Sequence, residues 1–172
     1  MSASPVSLTR HNFSELYMWS LVTAGAAIVG ISIYLLPFSD LDSRFLVLCL
    51  MAMASSVIAV NIPRVSGRIT VADTLVFLTM LLYGGPAAIL VSAIEGIAAT
   101  LIISTRPRTV LFNSAILAIS TSVTAAMLYW TVGPPVTVID KGFSDTFFLA
   151  VCLMALFQYG INTSLIAVEK AS

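Results

Sequence analysis

The stretch that decides the fold is GGPAAILVSAIEGIAATLII, residues 84–103, in which a Gly-Gly-Pro break precedes an unbroken apolar run. A membrane-spanning helix needs about 20 mostly apolar residues, so this run predicts one. The Gly-Gly-Pro break stands at its border, where it separates two helices without interrupting either. Glu95 is the single ionisable residue of the run.

The composition of the whole chain agrees with a membrane location. Of the 172 residues, 59% are hydrophobic and 9% are charged, eight basic residues balance eight acidic ones, and the mean hydropathy is +1.03. Soluble domains carry about a quarter charged residues. The low charge therefore excludes a soluble globular domain, and the high apolar content excludes a disordered chain. A net charge of zero offers no basic surface for nucleic acid.

Five further apolar stretches extend the pattern to an all-α, polytopic, six-helix transmembrane bundle. The expected spans cover residues 16–36, 45–62, 70–83, the run that ends at 103, 110–132 and 145–168, and the third is the shortest. The chain then divides into an N-terminal segment (1–15), the membrane domain (16–168) and the start of a C-terminal tail (169–172).

Basic residues set the orientation of the bundle, because loops that carry more Lys and Arg stay in the cytoplasm. With six spans, one side carries Arg10, Arg64, Arg68, Arg106, Arg108 and Lys170. The other side carries Arg44 and Lys141. We therefore expect both termini in the cytoplasm and a multi-pass protein of the plasma membrane.

Small residues recur every four positions in three spans, which lets helix backbones approach closely in lipid. The three stripes are Ala26 and Gly30; Ala88, Ser92, Gly96 and Thr100; and Ser114, Ala118, Ser122 and Ala126. The simplest interpretation is packing within one bundle. The alternative is that one stripe docks a partner protein or a second copy, and the peripheral first span is the better candidate.

The residue inventory argues against catalysis. The one His, His11, precedes the first span, and neither Lys lies in a span. No glycine-rich nucleotide loop and no paired metal-ligand spacing occurs. Intramembrane serines lack a neighbouring base that could activate them. We predict a non-enzyme with no catalytic residue, no metal and no cofactor.

Glu95 is the strongest functional candidate, because a charged side chain at the bilayer centre costs about 2.5 to 3.5 kcal/mol. It should therefore face the bundle interior. The functional alternatives are a proton or cation site, a counter-charge for a bound ligand, or a switch that alters packing. The structural alternative is a protonated Glu95 bonded to Ser92, one turn earlier.

Polar amides lie in or near the ends of other spans and should point inward, since lipid offers them no partner. Three of them, with Glu95, would line a ligand cavity if one exists; the set is Glu95, Asn113, Gln158 and Asn162. Bonding between helices is the alternative role.

Asp73 follows Thr70 by three residues, a spacing typical of a helix-capping box, and it lies near the positive end of the third helix. It could instead pair with Arg64, Arg68, Arg106 or Arg108. Those four arginines serve topology, with contacts to anionic lipid or a cytoplasmic partner as the alternative.

Four elements occur in a fixed order: IPRVSGRITVADT at 62–74, the 84–86 break, AIEG at 93–96 and RTVLFN at 108–113. Together they resemble the membrane-embedded N-terminal domains that precede GGDEF or HD-GYP output domains in bacterial cyclic-di-GMP signalling proteins. A weaker likeness links the region to the substrate-binding components of energy-coupling-factor transporters. That second likeness implies an outward-facing pocket and a partner surface rich in small residues.

The first resemblance implies a sensory or ligand-binding input module of the bacterial inner membrane. Its expected partners are membrane lipids, a protein partner or second copy, and a small-molecule ligand. The sequence runs only a few residues past the sixth span, so we expect either an isolated input domain or one that works through a separate partner. The alternatives are a transporter's substrate-binding component and an accessory subunit of a larger membrane complex.

Overall fold

The computed structural model describes residues 5–36, 41–56, 59–61, 68–134, 137 and 144–171. Within these ranges the chain forms six α-helices and one short antiparallel β-hairpin. In chain order the elements are α1 (Pro5–Leu35), α2 (Ser43–Ser55), β1 (Ala59–Asn61), β2 (Arg68–Thr70), α3 (Val71–Tyr83), α4 (Gly85–Ile103), α5 (Pro107–Val132) and α6 (Asp145–Ala171). The helical bundle agrees with the prediction, whereas the hairpin is an addition to it.

Four of the helices are long and apolar enough to cross a membrane. They are α4, α5, α6 over residues 145–167, and α1 over residues 15–35. In contrast, α2 and α3 have 13 residues each. At 1.5 Å per residue each is about 20 Å long, shorter than the roughly 30 Å hydrocarbon layer. The protein is therefore a helical membrane protein, and its full count of six spans stays a prediction.

The second span differs from its predicted form, because the helix ends at Ser55 rather than continuing to residue 62. Both serines at this end bond backward to the helix: Ser55 Oγ donates to the Ala52 carbonyl and Ser56 Oγ to the Met53 carbonyl, at 3.1 and 2.6 Å. Such bonds compete with helix propagation. Residues 59–61 then pair as a strand with residues 68–70, Val60 opposite Ile69.

The first helix also departs from expectation, since α1 begins at Pro5 and includes most of the segment predicted to precede it. Proline suits the first turn of a helix because its missing N–H would have no intrahelical partner there. Residues 5–15 therefore continue the first span as helix.

The antiparallel pair α4 and α5 forms the centre of the bundle. α1 packs against both helices, α3 and α2 pack against α4, and α6 packs against α5. The predicted stripe of small residues on α4 is buried in this contact, which confirms it as a packing surface; its members are Ala88, Ser92, Gly96 and Thr100. An added Cβ at Gly96 would lie 2.9 Å from the Ser114 Cα, so the two backbones nearly touch. Ser114 Oγ also donates to the Ala93 carbonyl at 2.9 Å.

The stripe predicted on α1 does not pack within the chain. Ala26 and Gly30 are exposed, and nothing lies within 4 Å of a Cβ built on Gly30. The neighbouring face of α1 is used instead: Gly25 contacts Ala115 of α5, and Ser32 is buried. The expectation of a bundle contact at Ala26 and Gly30 is therefore wrong. Their alternative role, docking of a partner, stays a prediction.

A polar contact joins the two short helices, α2 and α3, at one end. Asp42 caps α2 by accepting from the backbone N–H groups of Arg44 and Phe45 at 3.1 and 3.2 Å. The Tyr83 hydroxyl, at the end of α3, donates to the same carboxylate. The pKa of Asp42 is held below its ordinary value, chiefly by the bond from Tyr83. The two backbone bonds and the Arg44 charge act in the same direction. The start of α2 and the end of α3 thus lie at the same end of the bundle.

Replacing Tyr83 by phenylalanine should lower stability at neutral pH and lose this effect in acid. A carboxylate whose pKa is depressed in the folded state contributes stability above its unfolded value, about 3.9, and loses it as the pH falls through the folded value. Thermal unfolding of wild type and Tyr83→Phe in detergent, between pH 7 and pH 3, measures the difference. In an Asp42→Asn background the pH dependence of that difference should vanish. A difference in Tm that is constant across the range would contradict the assignment.

Candidate functional site

Glu95 lies midway along α4. It is ten residues beyond Gly85, the first residue of α4, which places it about 15 Å along that helix. Its side chain is 4% exposed. The expectation that Glu95 faces the bundle interior rather than lipid is confirmed.

Asp73 lies across from Glu95 at the same level. α3 and α4 form a helical hairpin about Gly84, whose φ of +84° suits a residue without a Cβ. Asp73 precedes Gly84 by eleven residues and Glu95 follows it by eleven. The packed helices bring the two carboxyl groups close enough for their charges to interact. We call these two residues the acidic pair.

The predicted bond between Glu95 and Ser92 does not form. Ser92 Oγ instead donates to the Ile89 carbonyl at 2.9 Å, with the Leu117 carbonyl at 3.5 Å. Serine at this spacing commonly bonds its own helix, because the hydroxyl reaches a carbonyl one turn back. Among the residues that the structure describes, none donates a hydrogen bond to the Glu95 carboxylate or forms an ion pair with it.

Asn113 joins α4 to α5 on the C-terminal side of Glu95. Its Nδ2 donates to Thr100 Oγ1 at 2.7 Å, and Thr100 Oγ1 donates in turn to the Gly96 carbonyl at 2.7 Å. Thr100 is five residues beyond Glu95, about 7.5 Å along α4. The Asn113 amide therefore bonds α5 to α4, which is the alternative role that we predicted for it.

Gln158 joins α5 to α6 through two buried threonines. Its Nε2 donates to Thr121 Oγ1 at 3.1 Å, and its Oε1 accepts from Thr124 Oγ1 at 3.2 Å. Gln158 is 4% exposed and both threonines are fully buried. The sequence prediction did not include these threonines. Their spacing of three residues, which places both on one face of α5, is the signal that could have indicated them.

Asn162, one turn beyond Gln158, is different. Its Oδ1 is buried and has no hydrogen-bond partner in the described part of the chain. The four residues expected to line one cavity are thus divided among separate contacts: Glu95 with α3, Asn113 with α4, and Gln158 with α5. Within the described ranges, no hydrogen bond or ion pair joins these groups to one another.

The arginines contribute at the ends of the bundle. Arg108 Nη1 lies 3.1 Å from Glu15 Oε1, an exposed ion pair that links α5 to α1. Arg106 is exposed at the start of α5. Arg64 lies outside the described residues, and Arg68 belongs to β2, where the description covers the backbone alone. The expected pairing of Asp73 with an arginine therefore stays a prediction, as does its capping role with Thr70.

The acidic pair can perform limited chemistry. A carboxyl group can take up a proton, and carboxylates can supply part of the oxygen ligands of a cation. In the described residues no group of three His, Cys, Asp or Glu side chains lies together as a metal site would require. A proton, or a cation that completes its coordination with backbone oxygens or water, fits two carboxylates.

Comparison with known proteins identifies no family for the chain, since no family model, curated protein or solved structure matches it.

Proposed function

We propose that this protein is a membrane-embedded sensory module whose input site is the acidic pair of Glu95 and Asp73. The observation that carries the proposal is the burial of Glu95 midway along α4, with the Asp73 carboxyl near enough for their charges to interact and without a hydrogen-bond donor among the described residues. Like charges repel strongly where water is excluded, and a bound proton or cation removes that repulsion. Binding of a proton or cation at the acidic pair therefore weakens the repulsion between α3 and α4.

The packing around Glu95 supports a route from the site to the rest of the bundle. Gly96, the next residue, places α4 against the α5 backbone at Ser114. α5 in turn contacts α1, α4 and α6. A shift of α4 relative to α3 is therefore passed to α5, because close-packed backbones cannot move independently. A ligand drives such a shift only to the extent that it binds one arrangement more tightly.

The topology that we propose has six membrane-crossing segments with both termini in the cytoplasm of a bacterial cell. The alternating directions of the six helices and the excess of basic residues on one side support it. The resemblance to input domains of cyclic-di-GMP signalling proteins supports the sensory role. The output belongs to a separate partner in this proposal.

The first test is carboxyl modification with dicyclohexylcarbodiimide, an apolar reagent that reacts with protonated carboxyl groups in membranes. Wild-type protein in lipid nanodiscs should be modified at Glu95, as read by mass spectrometry of the peptide. Sodium, potassium or high pH should protect it if the site takes that cation or loses its proton. Glu95→Gln removes the target, and Glu15, an exposed carboxylate, serves as the internal control.

The second test measures the response of the helices. Hydrogen exchange of wild type should change over α4 and α5 between the protected and unprotected conditions. Glu95→Gln and Asp73→Asn should each abolish that change while leaving the elution volume of the protein unaltered. Modification of Glu95 without any difference in exchange would contradict the sensory role, and absence of both effects would contradict the site itself.

A further inference from the structure

The proposed topology places the α4–α5 turn, residues 104–106, at the membrane surface. α4 and α5 pack together, and each is long and apolar enough to cross a membrane. A chain that leaves the membrane in one helix and re-enters it in the next turns back at the surface. Two contacts tie α1 to this end of the bundle: Glu15, where its apolar segment begins, pairs with Arg108, and the Tyr17 hydroxyl donates to the Leu165 carbonyl at 3.3 Å. This end therefore meets the lipid headgroups.

Arg106 presents an unpaired guanidinium at this turn. Its backbone is bonded on both sides: the N–H donates to Ser104 Oγ at 3.3 Å, and the carbonyl accepts from the N–H groups of Thr109 and Val110 at 3.0 and 3.2 Å. Arg106 is exposed, and no carboxylate in the described part of the chain forms an ion pair with it. A cation with available N–H donors is therefore held on a fixed stretch of backbone.

Arg108, two residues further on, is already paired. Its Nη1 lies 3.1 Å from Glu15 Oε1. The two opposite charges offset each other. Arg106 is therefore the arginine beside the turn whose charge no described carboxylate balances.

Exposed apolar side chains lie on both sides of Arg106. Ile102 and Ile103 are exposed at the end of α4, and Leu111 is exposed about one turn into α5. Apolar side chains in such a position contact lipid chains, and a cation beside them lies at the level of the headgroups. A phospholipid offers both partners, because it has apolar chains and a phosphate that matches the planar fork of guanidinium donors.

We infer that the α4–α5 turn binds the headgroup of an anionic phospholipid through Arg106. In a zwitterionic phospholipid an ammonium group offsets the phosphate, so an unpaired guanidinium favours the lipid that carries a net negative charge. Glu15 limits this preference, because it neutralises Arg108. The inference rests on the proposed crossing of the membrane by α4 and α5. It depends neither on which end is cytoplasmic nor on the acidic pair.

Quenching of a reporter tryptophan by brominated lipids tests the site. Both native tryptophans are replaced, as Trp19→Phe and Trp130→Phe, and Ile103→Trp introduces the reporter next to the turn, at a position that is 71% exposed. The protein is reconstituted in bilayers of phosphatidylglycerol and phosphatidylcholine with matched acyl chains, and one lipid at a time carries bromine. Comparison of the two quenching curves gives the preference for anionic lipid beside the turn.

The reporter should show a preference of about fivefold for phosphatidylglycerol, the effect of one arginine near an anionic surface. Arg106→Gln should remove most of this preference. Glu15→Gln should raise it, because the Arg108 guanidinium is then unpaired. Arg44→Gln is the matched control, since it removes an exposed arginine at the opposite end of the bundle and changes the net charge equally. It should leave the preference unchanged.

A preference that Arg106→Gln leaves intact, or that Arg44→Gln lowers as much, would overturn the inference. An unaltered preference in Glu15→Gln would also contradict it, because a second unpaired guanidinium would then make no difference. Absence of quenching by either lipid would place the turn away from the bilayer and overturn the proposed topology as well. None of these results bears on the acidic pair, which the dicyclohexylcarbodiimide reaction at Glu95 tests separately.

Discussion

Replacing Gly25 by alanine should separate α1 from the centre of the bundle. A Cβ built on Gly25 would lie 2.6 Å from the Ala115 Cβ and 2.7 Å from the Ala115 Cα. The obstacle is backbone rather than the end of a flexible side chain, so a helix must move. Overpacking of this kind costs about 1 to 3 kcal/mol. We expect a loss of that size in the free energy of unfolding, measured by detergent titration in mixed micelles.

Gly30→Ala is the matched control for this variant. Gly30 lies on the same helix with nothing within 4 Å of its added Cβ. Its replacement should leave the free energy of unfolding within about 0.5 kcal/mol of wild type, as for surface substitutions in general. Equal effects at both positions would show that helix propensity, rather than contact with α5, determines the result. A larger effect at Gly30 would point to a partner or second copy on the outer face of α1.

Replacing Gln158 by leucine should give the second large effect. The variant has an apolar side chain of similar size but loses the hydrogen bonds to Thr121 and Thr124 that tie α6 to α5. Interhelical hydrogen bonds in membranes average about 0.6 kcal/mol and reach about 1.7. Thr124 keeps a partner in the Ser120 carbonyl at 2.8 Å. The main loss therefore falls on Thr121, and we expect a decrease of about 1 to 2 kcal/mol in the free energy of unfolding.

Asn162→Leu provides the comparison one turn away. The buried Oδ1 of Asn162 has no hydrogen-bond partner among the described residues. Removing an unpaired buried oxygen relieves its desolvation cost, so this change should be neutral or stabilising. The Gln158 effect should also shrink in a Thr121→Val background, because the bond is then already absent. If Asn162→Leu destabilises as much as Gln158→Leu, Asn162 has an occupant that its own chain does not provide.

Only part of the acidic pair can be predicted from the sequence. Glu95 is identifiable from sequence because the cost of a mid-membrane carboxylate makes any such residue a functional candidate. The sequence also identifies Asp73, but only for capping and for pairing with arginine. Its position opposite Glu95 depends on Gly84 acting as the centre of a tight helical hairpin, and the equal spacing of eleven residues on each side is present in the sequence.

Polar partners are harder to predict than polar residues. Asn113 and Gln158 are expected to point inward, and both do. A shared cavity is expected from four such side chains, whereas the fold distributes them over different helix pairs. Successive residues of an α-helix are rotated by about 100° around the helix axis. A small error in the rotation of one helix therefore changes which of its side chains contact each neighbouring helix.

The sequence alone determined that this protein lies in a membrane, which four segments form its long apolar helices, and which carboxylate is buried. Apolar length, helix-ending Gly and Pro, and the cost of charge in lipid act locally, so they can be deduced one segment at a time. Only the tertiary structure decided that α1 packs through Gly25 rather than through Ala26 and Gly30, and that α2 gives way to a hairpin. In a membrane both the lipid-facing and the protein-facing sides of a helix are apolar. Hydrophobic periodicity, which reveals the buried face of a soluble helix, therefore carries little of that information here.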